Sequence, residues 1–465
     1  MENKEKDEEL MKDIIEDEKD INFDEHDPGR RSFLSRTFGP MGPGSIRGSI
    51  FAMASLAMGT GCLTLPIRFT QIGLLGGIVF LIIAGIAGYW SLTLMIYAAK
   101  EAHCEDYSRL VKKVLGKCSG IVLDFIMVLY IFGVLISYQV IIYSLIGRVY
   151  YEFAGKDKQF KTFEDFEKAT WNLFKYKAPI MYGVCIILIP ICLLKDISKM
   201  RFTSMFSTIS LIVVIMVILG QSPMYYKHFK EHIYKKEDES THPNFFDFRK
   251  AFDSNMYFFP SLATMFFAFT CHVGAFPVYK ALVKNDTRRI FKVFRRTILL
   301  TLILYLITSI SGFFTAPVNS PALIIYRPKI GKTDIIMQIG KIAICANLIL
   351  ACPSNYNSFR LSLFELVFHR NDIPDKLNYL TTIPIVIVTT TIGILYSKIT
   401  SYISLLGGFC SVVLIFLMPG LLFIKGTPGK YSSPKKIFTI CMVAILCSCG
   451  YIAGIETIVG MVRGE

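Results

Sequence analysis

The chain has 465 residues, 53% of them hydrophobic and 18% charged, with a mean hydropathy of +0.48. That balance lies outside the range of soluble domains and excludes a water-soluble helical bundle. The formal charge of +14 does not point to nucleic acid: residues 1–27 hold thirteen acids and four bases, a net of −9, and the remaining +23 sits between apolar runs, where the positive-inside rule puts it.

Residues 1–45 are acidic and then punctuated by glycine and proline (DPGRRSFLSRTFGPMGPGS). They read as a disordered cytoplasmic tail with a basic hinge beside the membrane; a regulatory docking segment is the second reading. No cleavable signal peptide is expected, because the first apolar run starts late and follows the acidic stretch.

Eleven transmembrane helices are expected, at roughly 47–70, 73–99, 119–147, 178–195, 202–222, 256–281, 297–316, 334–357, 380–397, 401–424 and 437–459. Each is of a length that crosses a bilayer. The short loops set the orientation. Residues 282–296 carry six bases (Lys284, Arg288, Arg289, Lys292, Arg295, Arg296) against one acid, which predicts a cytoplasmic N-terminus and an extracytoplasmic C-terminus. The only N-x-[ST] match, at Asn285, then lies in the cytoplasm, and no glycan is expected. The twelve cysteines fall in predicted spans or in cytoplasmic loops (Cys104, Cys118), so no disulfide is expected, and no CxxC metal pattern occurs.

Two spans are interrupted at mid-membrane. In the first, IRGSIFAMASLAMGTGCLTLP (46–66), Gly59-Thr60-Gly61 weakens the helix and Pro66 stresses it again. Each glycine costs about 1 kcal/mol against alanine in a helix, and backbone groups opened to hydrocarbon cost several more. The second, MYFFPSLATMFFAFTCHVGAFPVYKALV (256–283), carries Thr270, Cys271, His272 and Gly274 at its centre and Pro277 one turn on. The breaks fall in spans one and six, which run in opposite directions. An inverted repeat of spans 1–5 (46–222) and 6–10 (256–424) would produce that pattern, with 223–255 as the loop between them and 425–465 carrying span eleven. Paired interruptions of this kind are the best sequence pointer to a transporter's binding site.

MGTGCLTLP in span one and AFTCHVGAFPVYKAL in span six resemble the amino acid/auxin permease family of amino acid transporters. Its members include neutral, proton-coupled, vesicular and vacuolar transporters and protozoan permeases. The Cys271-His272 and Pro277-x-Tyr279 spacing is most similar to the sodium-coupled neutral branch; Gly133-x-x-x-Ser137-Tyr138, Pro353 and Phe359-Arg360 add weaker matches. The resemblance implies an all-α leucine-transporter-type fold, a 5+5 inverted repeat plus one helix, and secondary active transport by alternating access. By the same carry-over, the backbone of Met58, Gly59, Thr60 and Gly61 would bind the substrate carboxylate. Phe269, Thr270, Cys271 and His272 would hold its amine and side chain, and Tyr138 would lean on it.

Two departures bear on the coupling ion. The family's sodium-coupled members place an asparagine at Ser55 and a threonine at Ala351. Losing those oxygen ligands weakens a hard-cation site, so tight sodium coupling is not expected and proton coupling or facilitated transport is. The far-side cysteines that form a disulfide in that branch are absent as well.

Single residues keep more than one reading. Gly59 and Gly61 could merely permit close helix packing. His272 could couple protons, contact substrate or a gate, or serve the core. Asp124, one turn into span three, reads as facing the basic rim, Glu365 and Glu456 as interfacial, and Arg68 as snorkelling or lining the outer vestibule. Function then reads as amino acid transport with no cofactor, in the plasma membrane or that of an acidic organelle. An amino acid sensor with little flux is the alternative, favoured only by the tail. No HExxH, GxSxG or mid-span aspartate pair supports an intramembrane enzyme.

Overall fold

The membrane body begins at a helix cap: the Ser45 side chain accepts from the Gly48 N–H at 3.2 Å, satisfying one orphan amide of the first turn. The computed structural model describes residue 42 and residues 44–153, 165–166, 178–193, 197–232, 255–283, 286–317, 320–327, 330, 334–368, 374–395 and 403–463. The acidic segment, the sequon at Asn285 and most of the two long loops lie outside the described residues.

The helices in order are α1 (Ile46–Ala57), α2 (Gly61–Ile72), α3 (Leu74–Glu101), α4 (Tyr107–Leu115), α5 (Lys117–Phe153), α6 (Ala178–Cys192), α7 (Ile197–His232), α8 (Asn255–Ala268), α9 (Ala275–Ala281), α10 (Thr287–Thr315), α11 (Ile335–Phe368), α12 (Asp375–Leu395), α13 (Met418–Gly426) and α14 (Pro434–Arg463). Short 3-10 turns cover His272–Gly274 and Ile324–Tyr326, and Leu406–Ser411 and Val413–Leu417 are π-helical. Among the described residues there is no strand.

Among the described residues nine helices are long and apolar enough to cross a membrane, and α1 with α2, bent by 56°, make a tenth. The expected span 178–195 is represented by α6, 15 residues within the described part of the chain. Elsewhere helices outrun the expected spans. The basic stretch before 297 is the start of α10, because the Asp286 side chain caps the Arg288 N–H at 3.2 Å. Residues 223–232 continue α7 through Pro223.

Burial shows which elements sit innermost. The most apolar window of the broken span six, Tyr257–Ala281, is 89% buried and that of Ile403–Gly426 is 78%, against 39–56% for the other full-length spans. The outer helices turn Ile86, Phe125, Ile186, Met216 and Leu299 outward, as a lipid-facing surface requires. Helix α14 closes on span ten through small residues: a Cβ on Gly408 would stand 2.8 Å from the Gly450 carbonyl and the Gly454 amide, the close backbone approach that membrane interfaces use.

Each end of the bundle carries an ion cluster. At the end where α1 begins, the amphipathic α4 packs on α5 and α13. Lys112 pairs with Asp124 at 3.0 Å and Glu365 at 2.8 Å, Ser108 donates to Asp124 at 2.7 Å, and Lys280 reaches Asp106 at 3.3 Å. Burial works against the Lys112 ammonium, but the hydrogen bonds and charges of Glu365 and Asp124 outweigh it and hold its pKa above the usual lysine range. Asp124 thus faces the basic loop as the wholly buried partner of Lys112. At the opposite end, Asp334 accepts from Gln221 at 2.6 Å, Tyr225 at 2.9 Å and the Met337 amide at 3.0 Å. Arg327 stands 3.9 Å from Asp334 and stacks on the Tyr225 ring at 3.8 Å. Burial raises the Asp334 pKa, yet these donors and the Arg327 charge leave it below the usual carboxylate value.

Candidate functional site

Both interruptions expected from sequence are breaks in the structure, and they meet. Helix α1 ends at Ala57; Met58 takes φ −83° and ψ 70°, its amide still bonded to Ala54 O, and the helix resumes at Gly61. Helix α8 ends at Ala268, and Phe269 to Cys271 are non-helical before the His272–Gly274 turn leads into α9. A Cβ on Gly61 would lie 3.1 Å from the Ala268 Cα, so one break packs directly on the other. Only a residue without a side chain permits that approach.

Tyr138 of α5 covers the first break. A Cβ on Gly59 would stand 2.4 Å from its hydroxyl. The Asn355 amide of α11 lies 3.5 Å from the same hydroxyl and donates to the Ala351 carbonyl at 3.2 Å. Met58, Thr60, Gly61, Tyr138 and Ala351 are all buried, and the Thr60 hydroxyl has no partner among the described residues. On the second break, the Thr270 hydroxyl bonds back to Phe266 O at 2.9 Å, and the Cys271 amide bonds to Phe269 O at 3.0 Å. His272 is fully buried with neither ring nitrogen hydrogen-bonded among the described residues. A buried imidazole left unsatisfied costs free energy.

Not every expected residue turns towards the gap. The Phe269 ring packs against Gly85 and Gly88 of α3 and meets the Tyr305 ring edge-to-face at 5.3 Å, so only its backbone borders the break. The Ser55 hydroxyl donates to Ala52 O at 3.0 Å within its own helix. Two residues escaped the sequence reading. Asn355 stands four residues after Ala351, one helical turn on the same face, and that spacing was the available signal. Tyr305 of α10 sits with its hydroxyl 2.8 Å from both Ala57 O and Ala268 O, and nothing in its local sequence marks it.

Between α1, α7, α9 and α11 a cleft of about 320 Å³, open space included, is lined by Ala52, Leu56, Ser204, Pro277, Ser354 and Ser358 among others. It lies in the half of the bundle where α1 begins and α9 ends. In the other half, Pro66 packs on Gly312, and the buried Arg68 binds Ser404 at 2.7 Å and Gln71 at 3.0 Å.

Residues 42–462 match the family described as transmembrane amino acid transporter protein. The chain belongs to that family. It is 25% identical over 402 residues to vacuolar amino acid transporter 5 of Schizosaccharomyces pombe, covering 84% of this chain and 87% of the relative. It is 21% identical over 426 residues to sodium-coupled neutral amino acid symporter 2 of Danio rerio, covering 88% and 81%. Among solved structures, MhsT in complex with L-phenylalanine superposes with a TM-score of 0.56 at 15% identity, over 92% of this chain and 100% of that one. That likeness shows the fold, the leucine-transporter type expected from the sequence. Membership makes the chain an integral membrane protein that transports amino acids as a secondary transporter, not an enzyme.

Proposed function

We propose that this protein carries neutral amino acids by alternating access, with the gap between the two broken spans as its binding site. The observation that supports this most is the direct packing of the two breaks beside a buried, unpartnered His272. The backbone of Met58 to Gly61 receives the substrate carboxylate at the start of α2, where helix amides and dipole favour an anion. Thr270, Cys271 and His272, with the Phe269 backbone, hold the amine and side chain, and Tyr138 closes over it. Neither broken stretch contains Asp or Glu, so a neutral substrate suits the gap better than a cationic one.

Spans 1–5 and 6–10 act as inverted repeats that rock about this gap. With the N-terminus cytoplasmic, the cleft beside Ser354 and Ser358 is the cytoplasmic route. Coupling is to a proton or to no ion. Ser55 has its hydroxyl proton committed to Ala52 O, Ala351 offers only its carbonyl, and His272 brings an imidazole that can carry a proton. The vacuolar yeast relative favours an acidic organelle membrane; labelling of a fluorescent fusion at the cell surface alone would count against it.

The test is uptake into proteoliposomes, with competition by all twenty amino acids, with and without sodium, at pH 5.5 and 7.5. Neutral amino acids should compete, sodium should have no effect, and His272→Gln should flatten the response to pH. Binding without flux would replace the transporter by a sensor, and strict sodium dependence would overturn the coupling.

A further inference from the structure

The two helix breaks share a capping group that belongs to neither. The α1 and α8 half-helices end at Ala57 and Ala268, and the terminal carbonyl of each points at the Tyr305 hydroxyl, 2.8 Å away in both cases. Tyr305 is fully buried, and its ring is fixed against Phe269 at 5.3 Å. The last carbonyls of a helix are orphaned acceptors and carry the negative end of its dipole, equivalent to about half an elementary charge. Two such ends converging in a dry interior call for positive charge between them. In broken-helix transporters, half-helix C-termini and unwound carbonyls coordinate the coupling cation.

Here that point is taken by a phenol. It has one hydrogen, so it donates to one carbonyl at a time; the Ala57 carbonyl also accepts from the Gly59 amide at 3.0 Å. We propose that the Tyr305 hydroxyl stands in for a coupling cation between the two half-helices, tying the broken spans together so that transport needs no metal ion at this point. Tyr305 acts through the Ala57 and Ala268 carbonyls and is a positioning residue. The inference deepens the proposed function and rests on its reading of the breaks as the substrate site.

Tyr305→Phe deletes one oxygen and keeps the ring. Two measurements are made on wild type and variant: uptake in choline, sodium or lithium chloride at one pH, and melting of the purified proteins in the same salts. Wild type should be indifferent to the cation. The variant should lose about tenfold in choline, the ratio that one ordinary buried hydrogen bond supports, and regain most of it in sodium, which should also raise its melting temperature. Wild-type rates in every salt would overturn the proposal. If the variant is inactive throughout, melting decides: stabilisation by sodium in the variant alone supports the stand-in, and no cation effect refutes it. A wild type that itself requires sodium refutes it too. A wild type with no flux of any amino acid would instead defeat the proposed function, while the melting comparison would still judge Tyr305.

Discussion

Replacing Gly59 by alanine puts a Cβ 2.4 Å from the Tyr138 hydroxyl oxygen and 3.0 and 3.1 Å from two of its ring carbons. The overlap with the hydroxyl alone is close to 1 Å against an ordinary contact of about 3.4 Å, and turning the hydroxyl does not relieve the ring. Tyr138 has nowhere to go: it is 1% exposed, with Asn355 against its oxygen. Forcing a methyl group into such a place costs about 1–3 kcal/mol. At 1.36 kcal/mol per tenfold, that corresponds to a loss of roughly 5- to 150-fold in initial uptake, if the displaced ring moves into the substrate's space. Adding Tyr138→Phe removes the 2.4 Å contact but leaves the ring contacts, so the double variant should regain melting temperature in part, with a coupling of about 1 kcal/mol. Gly183→Ala is the control, since nothing lies within 4 Å of a Cβ there. The measurements are initial uptake into proteoliposomes and melting in detergent. Gly59→Ala transport within twofold of wild type would refute the geometry on which the site rests.

Asn355→Leu removes the contacts to Tyr138 and the Ala351 carbonyl and should cut uptake about tenfold while the protein still reaches its membrane; unchanged uptake would take Asn355 out of the site. Lys112→Met leaves Asp124 and Glu365 buried without their cation and should destabilise by about 3–5 kcal/mol. Because the folded Lys112 pKa is raised, its contribution is complete at pH 7 and fades only as pH climbs past the ordinary lysine value of about 10; equal melting of variant and wild type at pH 7 would disprove the pairing. Asp334→Asn should cost about 1–3 kcal/mol. The folded Asp334 pKa is depressed, so its stabilisation is present above the ordinary value of about 3.9 and lost as pH falls through the lower one. Melting of the wild type that already drops between pH 7 and 5 in step with the Asp334→Asn difference would contradict this.

The helical frame was legible because hydropathy and length report a bilayer directly, and among the described residues all ten spans that qualify by length and composition fall on predicted ones. What sequence misjudged were helix ends. Charged residues read as loop, such as Arg288 to Arg296, continue a helix once Asp286 caps it, because hydropathy windows are blind to capping.

The site was half legible, and the division follows a physical line. Gly59, Gly61 and the Thr270–Gly274 stretch violate helix rules, so they stand out in a linear chain. Their partners obey every local rule: Tyr305 and Asn355 sit inside regular helices and gain a role only when the fold brings the Tyr305 hydroxyl to the Ala57 carbonyl and the Asn355 amide to the Tyr138 hydroxyl, each across more than two hundred residues. The same asymmetry explains the acids. Asp124 reads as facing the basic rim and Glu365 as interfacial, but only the fold shows that Lys112 on α4 brings both into one buried cluster. A broken helix announces that something must satisfy its freed backbone; which side chain does so is decided by packing. Tyr305, bonded to both breaks at once, is therefore the residue whose removal separates a merely kinked pair of helices from a working one.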